Sequence, residues 1–227
     1  GSQSINLDSG VPDVIELEDD VEYLDFTMDD VNIPETDTMY YCKLFEVPYF
    51  NDTQHIVKFS TIVEPGNEAL VHHIIVYDCP EYIAETDHDV LEGSCDDYST
   101  NMPSRACRAE KMLYVWAVGG NDIYLPSDAG IPLSGDSDTH YFLLEMHYDN
   151  PLEKSGIIDN SGFRMFYTPT LRQMEVGTLS IGLNINPLGQ WIPAGLSNAH
   201  NVAFMPKECS ENAFPPQGIK IFGSLLH

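Results

Sequence analysis

Between Leu70 and Tyr77 the chain reads Leu-Val-His-His-Ile-Ile-Val-Tyr, closed by Asp78, Cys79 and Pro80. This apolar, β-branched run predicts a buried or half-buried strand. The two adjacent imidazoles inside it are the tightest constraint on what the chain can become. A single buried histidine is usually a satisfied core residue, but every buried ring nitrogen needs a partner, and a pair doubles the demand. A metal ion meets it, since neutral imidazole is the commonest protein ligand. Neighbours on a regular strand, however, point to opposite faces. Joint ligation by His72 and His73 therefore requires a strand end, a strong twist or a bulge, and bulges do occur beside active sites.

The rest of the chain is punctuated in the same way. Strands are predicted over 40–47, 55–63, 111–118, 139–149, 161–168, about 173–184, 199–205 and 217–226, separated by Pro- and Gly-bearing turns. The stretches 80–106 and 126–138 read as irregular. No segment carries a long helical period with caps. Many short strands of this kind indicate an all-β fold, an antiparallel β-sandwich with jelly-roll connections. In 139–149, alternation puts Tyr141, Leu143, Glu145 and His147 on one face and Phe142, Leu144, Met146 and Tyr148 on the other. Apolar residues on both faces mean a strand covered on both sides, with His147 near its end. Residues 1–39 hold many acids and neither Lys nor Arg, so they read as a solvated, partly mobile acidic arm ahead of a sandwich over 40–227. The alternative is an edge strand docked through Val21, Tyr23, Leu24 and Phe26.

A formal charge of −26 argues against nucleic acid or an anionic membrane surface as partner. No apolar run is long enough for membrane insertion as a helix. Gly1-Ser2 reads as a cleavage scar, consistent with a removed leader. Of five cysteines, Cys42, Cys79, Cys95 and Cys107 fall in one half of the chain, with the sequon Asn51-Asp52-Thr53 nearby. Together they suggest a secreted or secretory-lumen glycoprotein with two disulfides, leaving Cys209 without a local mate. Three imidazoles without thiolate or carboxylate suit copper, zinc or nickel alike, and three histidines plus water is also a hydrolytic zinc arrangement. Glu145, two residues before His147 on one strand face, is a candidate for orienting a ligand ring. His55 and His88 are expected to face solvent, with His140 and His200 outside any site. Neither a nucleophile elbow nor a Gly-rich phosphate loop is visible.

Longer stretches carry a resemblance. Tyr41-Cys42 to Glu46-Val47-Pro48, then Glu64-Pro65-Gly66-Asn67-Glu68-Ala69-Leu70-Val71-His72-His73, resemble the first catalytic domain of the copper type II, ascorbate-dependent monooxygenases. The likeness continues through Leu144-Glu145-Met146-His147-Tyr148-Asp149-Asn150-Pro151 and Ser161-Gly162-Phe163-Arg164. It ends at Pro215-Pro216-Gln217-Gly218-Ile219-Lys220-Ile221-Phe222 and Leu225-Leu226-His227, and it is strongest to the dopamine-hydroxylase branch. It implies that His72, His73 and His147 bind a first, electron-transfer copper reduced by ascorbate. It implies that His227 is the first histidine of a His-x-His pair for a second copper, where oxygen is activated. The remaining ligands would belong to a second catalytic domain absent from this chain, as would the partner of Cys209. The pairings implied are Cys42 with Cys95 and Cys79 with Cys107. Gly182-Leu183-Asn184 places Asn where an amine-binding acid would suit a catecholamine, so that small-molecule substrate is in doubt.

Three functions follow as expectations. The chain is the core fragment of a copper hydroxylase that inserts oxygen at a C–H bond, or a copper-binding module inactive alone, or a secreted binding sandwich without enzymatic activity. A missing domain would also leave apolar surface near 217–226 open to self-association.

Overall fold

The computed structural model describes residues 17–85, 88–109, 111–133, 140–181, 193–200 and 202–224. In chain order its strands are β1 (Glu22–Thr27), β2 (Val31–Ile33), β3 (Thr38–Val47), β4 (Gln54–Ile62), β5 (Val71–Asp78), β6 (Glu92–Ser94) and β7 (Lys111–Ala117). There follow β8 (Ile123–Tyr124), β9 (Ala129–Leu133), β10 (His140–Asp149), β11 (Ile157–Asp159), β12 (Gly162–Thr168) and β13 (Met174–Glu175). Short helices span Ser104–Arg108 (α1) and Lys207–Ala213 (α2).

One large sheet runs β1-β12-β4-β9-β13, with β8 also on β4; the other large sheet runs β6-β3-β10-β5-β7, and β11 pairs with β2 in a separate two-stranded sheet. All pairings are antiparallel except β13 with β9. The expected antiparallel all-β sandwich is what forms. Its core lies between the sheets, where Phe26, Phe59, Phe163 and Met165 meet Ile74, Tyr114, Phe142 and Met146. The Phe59 and Tyr114 rings stack across it at 5.0 Å.

The second sheet is covered on its outer face too. Cys42, Leu44, Ile75, Tyr77 and Leu143 pack there against Ile83, Cys95, Met102 and Cys107 from the segment after β5. Disulfides Cys42–Cys95 and Cys79–Cys107 staple that segment down. This double cover is why β5 and β10 are apolar on both faces.

Several local expectations are corrected. Residues 22–33 are no solvated arm: β1 pairs with β12, and Phe26, Met28, Val31 and Ile33 are buried. The acids find partners, since Arg164 forks onto Asp25 at 2.6 and 2.8 Å and Tyr167 donates to Glu22. The stretch 126–138, expected to be irregular, contains β9. Residues 202–205 and 217–224 form no strand, and a short helix, α2, lies between them. These C-terminal side chains are mostly exposed, and among the described residues no strand pairs with this stretch to hold it extended.

Candidate metal centre

The triad is built at one end of the β10–β5 ladder. Along β5, Ile75 and Tyr77 face outward and Ile74 and Val76 inward, which sends His73 outward. His73 pairs with His147 on β10, but the next pair is Val71 with Tyr148, so His72 is an extra residue with no opposite number. That is a β-bulge, and a bulge turns two consecutive side chains to one side. Val118 still donates to the carbonyl of His72 at 3.1 Å, so the bulge stays tied to the neighbouring β7 edge.

His72 and His147 thus both approach His73. Its Nδ1 lies 3.3 Å from the Nδ1 of His72 and 3.3 Å from that of His147. The three rings offer ligand atoms all within 4.8 Å of one another. Two nitrogens each about 2.0 Å from one ion, at a tetrahedral angle, stand about 3.3 Å apart. The donor spacing therefore fits a single metal ion. Burial, and then the nearby His72, hold the His147 imidazole below the usual histidine range, which favours the neutral form that ligates. His72 is exposed while the other two rings are half-buried, so the centre has an open side.

Two side chains hold His147. Tyr40, its cross-strand partner, stacks on it with centroids 4.3 Å apart and planes 6° from parallel. Thr38 Oγ1 lies 2.7 Å from His147 Nε2, the nitrogen turned away from the triad. Sequence reasoning misses both, because neither is visible until the β3–β10 register is known. Among the described residues, Glu145 meets Arg108 and not a ligand ring. It is 3% exposed and its carboxylate meets the Arg108 guanidinium at 2.7 Å. Burial pushes its pKa up, with Arg108 opposing.

The remaining candidates are dispersed. Cys42 and Cys95 flank Glu145, but their sulfurs are spent on the disulfide. His55 is buried rather than solvent-facing, and its Nδ1 accepts from the Arg172 amide at 2.9 Å. His88 is half-buried and lies 2.9 Å from the Ile83 carbonyl oxygen. His140 pairs with Asp78 at 2.6 Å, and His200 is exposed. Asn51 is exposed in the bend after β3, and Cys209 is exposed and unbonded on α2. His227 and the Gly182-Leu183-Asn184 segment lie outside the described residues.

Residues 24–155 match the family described as copper type II ascorbate-dependent monooxygenase, N-terminal domain. The chain is 38% identical over 208 residues to a human DBH-like monooxygenase protein 1, covering 90% of this chain and 33% of that protein. It is 36% identical over 208 residues to a rat dopamine beta-hydroxylase, covering 92% and 33%. With the human dopamine beta-hydroxylase it shares 35% identity over 212 residues, covering 93% and 34%. The chain thus spans about a third of the length of these relatives.

Proposed function

The chain belongs to the copper type II, ascorbate-dependent monooxygenases, and from that premise we propose that His72, His73 and His147 form the electron-transfer copper site of a C–H hydroxylase. The observation that carries this reading is the convergence of three Nδ1 atoms made possible by the bulge at His72. The chemistry that copper supplies when bound is one-electron transfer, with ascorbate as reductant and oxygen as the final acceptor. The protein's part is to keep the donors neutral and correctly spaced. Three imidazoles without a charged ligand suit both Cu(I) and Cu(II). Covering the sheet on both faces fixes β5 and β10, so the donors are placed before any ion arrives.

The same reading gives His227 to a second copper site completed by a second catalytic domain, and leaves the chain alone able to bind copper but not to turn over. The substrate is a small molecule with an activated C–H bond. Two disulfides and the exposed Asn51 sequon support a secretory compartment and glycosylation at Asn51. Titration with Cu(I) against a chromophoric chelator is the test. One equivalent should bind with high affinity, and His72→Ala or His147→Ala should weaken it by more than about a hundredfold, beyond the effect of outer-shell changes. Equal affinity in wild type and both variants overturns the assignment. Ascorbate-driven hydroxylation by this chain alone overturns the claim that it needs a second domain.

A further inference from the structure

We propose that Thr38 is a positioning residue for this centre: its hydroxyl oxygen accepts a hydrogen bond from the Nε2–H of His147 and thereby fixes which ring edge faces the ion. The inference rests on the reading of the triad as a copper site. A neutral imidazole carries one N–H, and the tautomer is set by the bond its distal nitrogen makes. In His147, Nδ1 faces His73 at 3.3 Å and Nε2 faces Thr38 Oγ1 at 2.7 Å. With the proton on Nε2, the Nδ1 lone pair points into the triad. With the proton on Nδ1, an N–H would point there and that nitrogen could not ligate until the proton moved.

Tyr40 cannot do this work. Its ring stacks flat on His147 and holds the plane. Stacking is nearly blind to a half-turn about Cβ–Cγ, which exchanges Nδ1 with Cδ2 and Nε2 with Cε1. After that turn a C–H would face Thr38 and the hydrogen bond would be lost, so Thr38 supplies the preference that Tyr40 lacks. The position follows from register. Thr38 opposes Asp149 and Tyr40 opposes His147 at the open end of the β3–β10 ladder, which puts Thr38 on the diagonal from His147. Thr38 is exposed, so water can replace a missing hydroxyl.

Thr38→Ser, Thr38→Ala and Thr38→Val separate this role from a plain strand role. Removing an outer-shell partner costs roughly 10- to 100-fold in metal affinity, and an exposed one belongs at the low end. Thr38→Ser should bind Cu(I) within about twofold of wild type. Thr38→Val should bind about tenfold more weakly, because its methyl blocks both the bond and water, and Thr38→Ala should fall between. Nitrogen-15 NMR of the metal-free imidazole should show the Nε2–H form in wild type and Thr38→Ser, and a mixture in Thr38→Val. A merely structural Thr38 gives the opposite order, since Val suits a strand at least as well as Thr, and Ser suits it less. Wild-type affinity in Thr38→Val, or a loss in Thr38→Ser as large as in Thr38→Val, overturns the proposal. If wild type binds copper and His72→Ala does not while Thr38→Val is unchanged, Thr38 alone fails. If wild type takes up no copper, the site reading fails and this proposal falls with it.

Discussion

His72 owes its place to one unpaired step in a ladder. Without that step the alternation of β5 would turn its ring inward on the side of Ile74 and Val76, away from His73. Deleting His72 should therefore restore a regular β5, leaving Val71 opposite Tyr148 and His73 opposite His147. The deletion should fold with near wild-type far-ultraviolet circular dichroism yet bind Cu(I) as poorly as His72→Ala. The adjacent histidines, and the need for a bulge, twist or strand end to unite them, were legible in the sequence. Thr38 and Tyr40 were not, because cross-strand neighbours depend on a register that the sequence does not state. Burial is similarly hidden at His55, whose polar neighbours Gln54 and Asp52 suggest a surface position although the residue is 2% exposed. That burial lowers the His55 pKa below its ordinary 6.5. The unfolded chain then binds the extra proton first, so this contribution to stability is complete above pH 6.5 and is lost as pH falls towards the lowered folded value. In the metal-free protein, His55→Asn should flatten the fall in urea midpoint between about pH 7 and pH 5. An unchanged pH profile would place the dependence elsewhere.

Among the elements, β1 shows how composition misleads. Its acids suggest a solvated arm, yet Leu24 packs against the core and Phe26 stacks on Phe163 at 5.0 Å. Arg164 and Tyr167 on β12 take up Asp25 and Glu22. Only the partner strand explains the charges, and it lies far away in sequence. Gly162 at the start of β12 is what allows the contact. A Cβ there would run into the Phe26 carbonyl and come within 2.7 Å of the Thr27 Cα, backbone atoms that cannot step aside as a side chain can. Gly162→Ala should therefore detach β1 locally and expose Phe26. Losing a buried Phe costs about 3–5 kcal/mol, and partial relaxation places the expected loss near the lower end. Urea unfolding measures it; a loss below about 1 kcal/mol would mean that β1 contributes little to the sandwich. The inner strands of both sheets were easier to read, since β4, β5, β10 and β12 carry enough Val, Ile, Phe and Met to show their periods.

At the scale of the whole molecule, the two disulfides close loops of 53 and 28 residues, each worth about 4 kcal/mol of chain entropy in the simplest treatment. They hold the outer cover on the sheet that carries the ligands, while the C-terminal part has no comparable anchor among the described residues. There Phe204, Ile221 and Val202 are 84%, 75% and 72% exposed, with Leu196, Ile219 and Phe222 also exposed. Exposed apolar side chains of this kind are what self-association would bury. Against association stands the formal charge of −26, which makes two copies repel at long range. The two effects differ in their response to salt. Screening shortens the repulsion from about 10 Å at 0.1 M to a few ångströms near 1 M, while hydrophobic burial persists. Sedimentation equilibrium should therefore show a mass that rises with protein concentration, more steeply at about 0.5 M salt than at 0.05 M. Phe204→Ser with Ile221→Ser should restore the monomer mass without changing Cu(I) affinity, because the triad sits on the β3–β10–β5 ladder. A constant monomer mass at every concentration in high salt would show that this exposed stretch does not pair with itself.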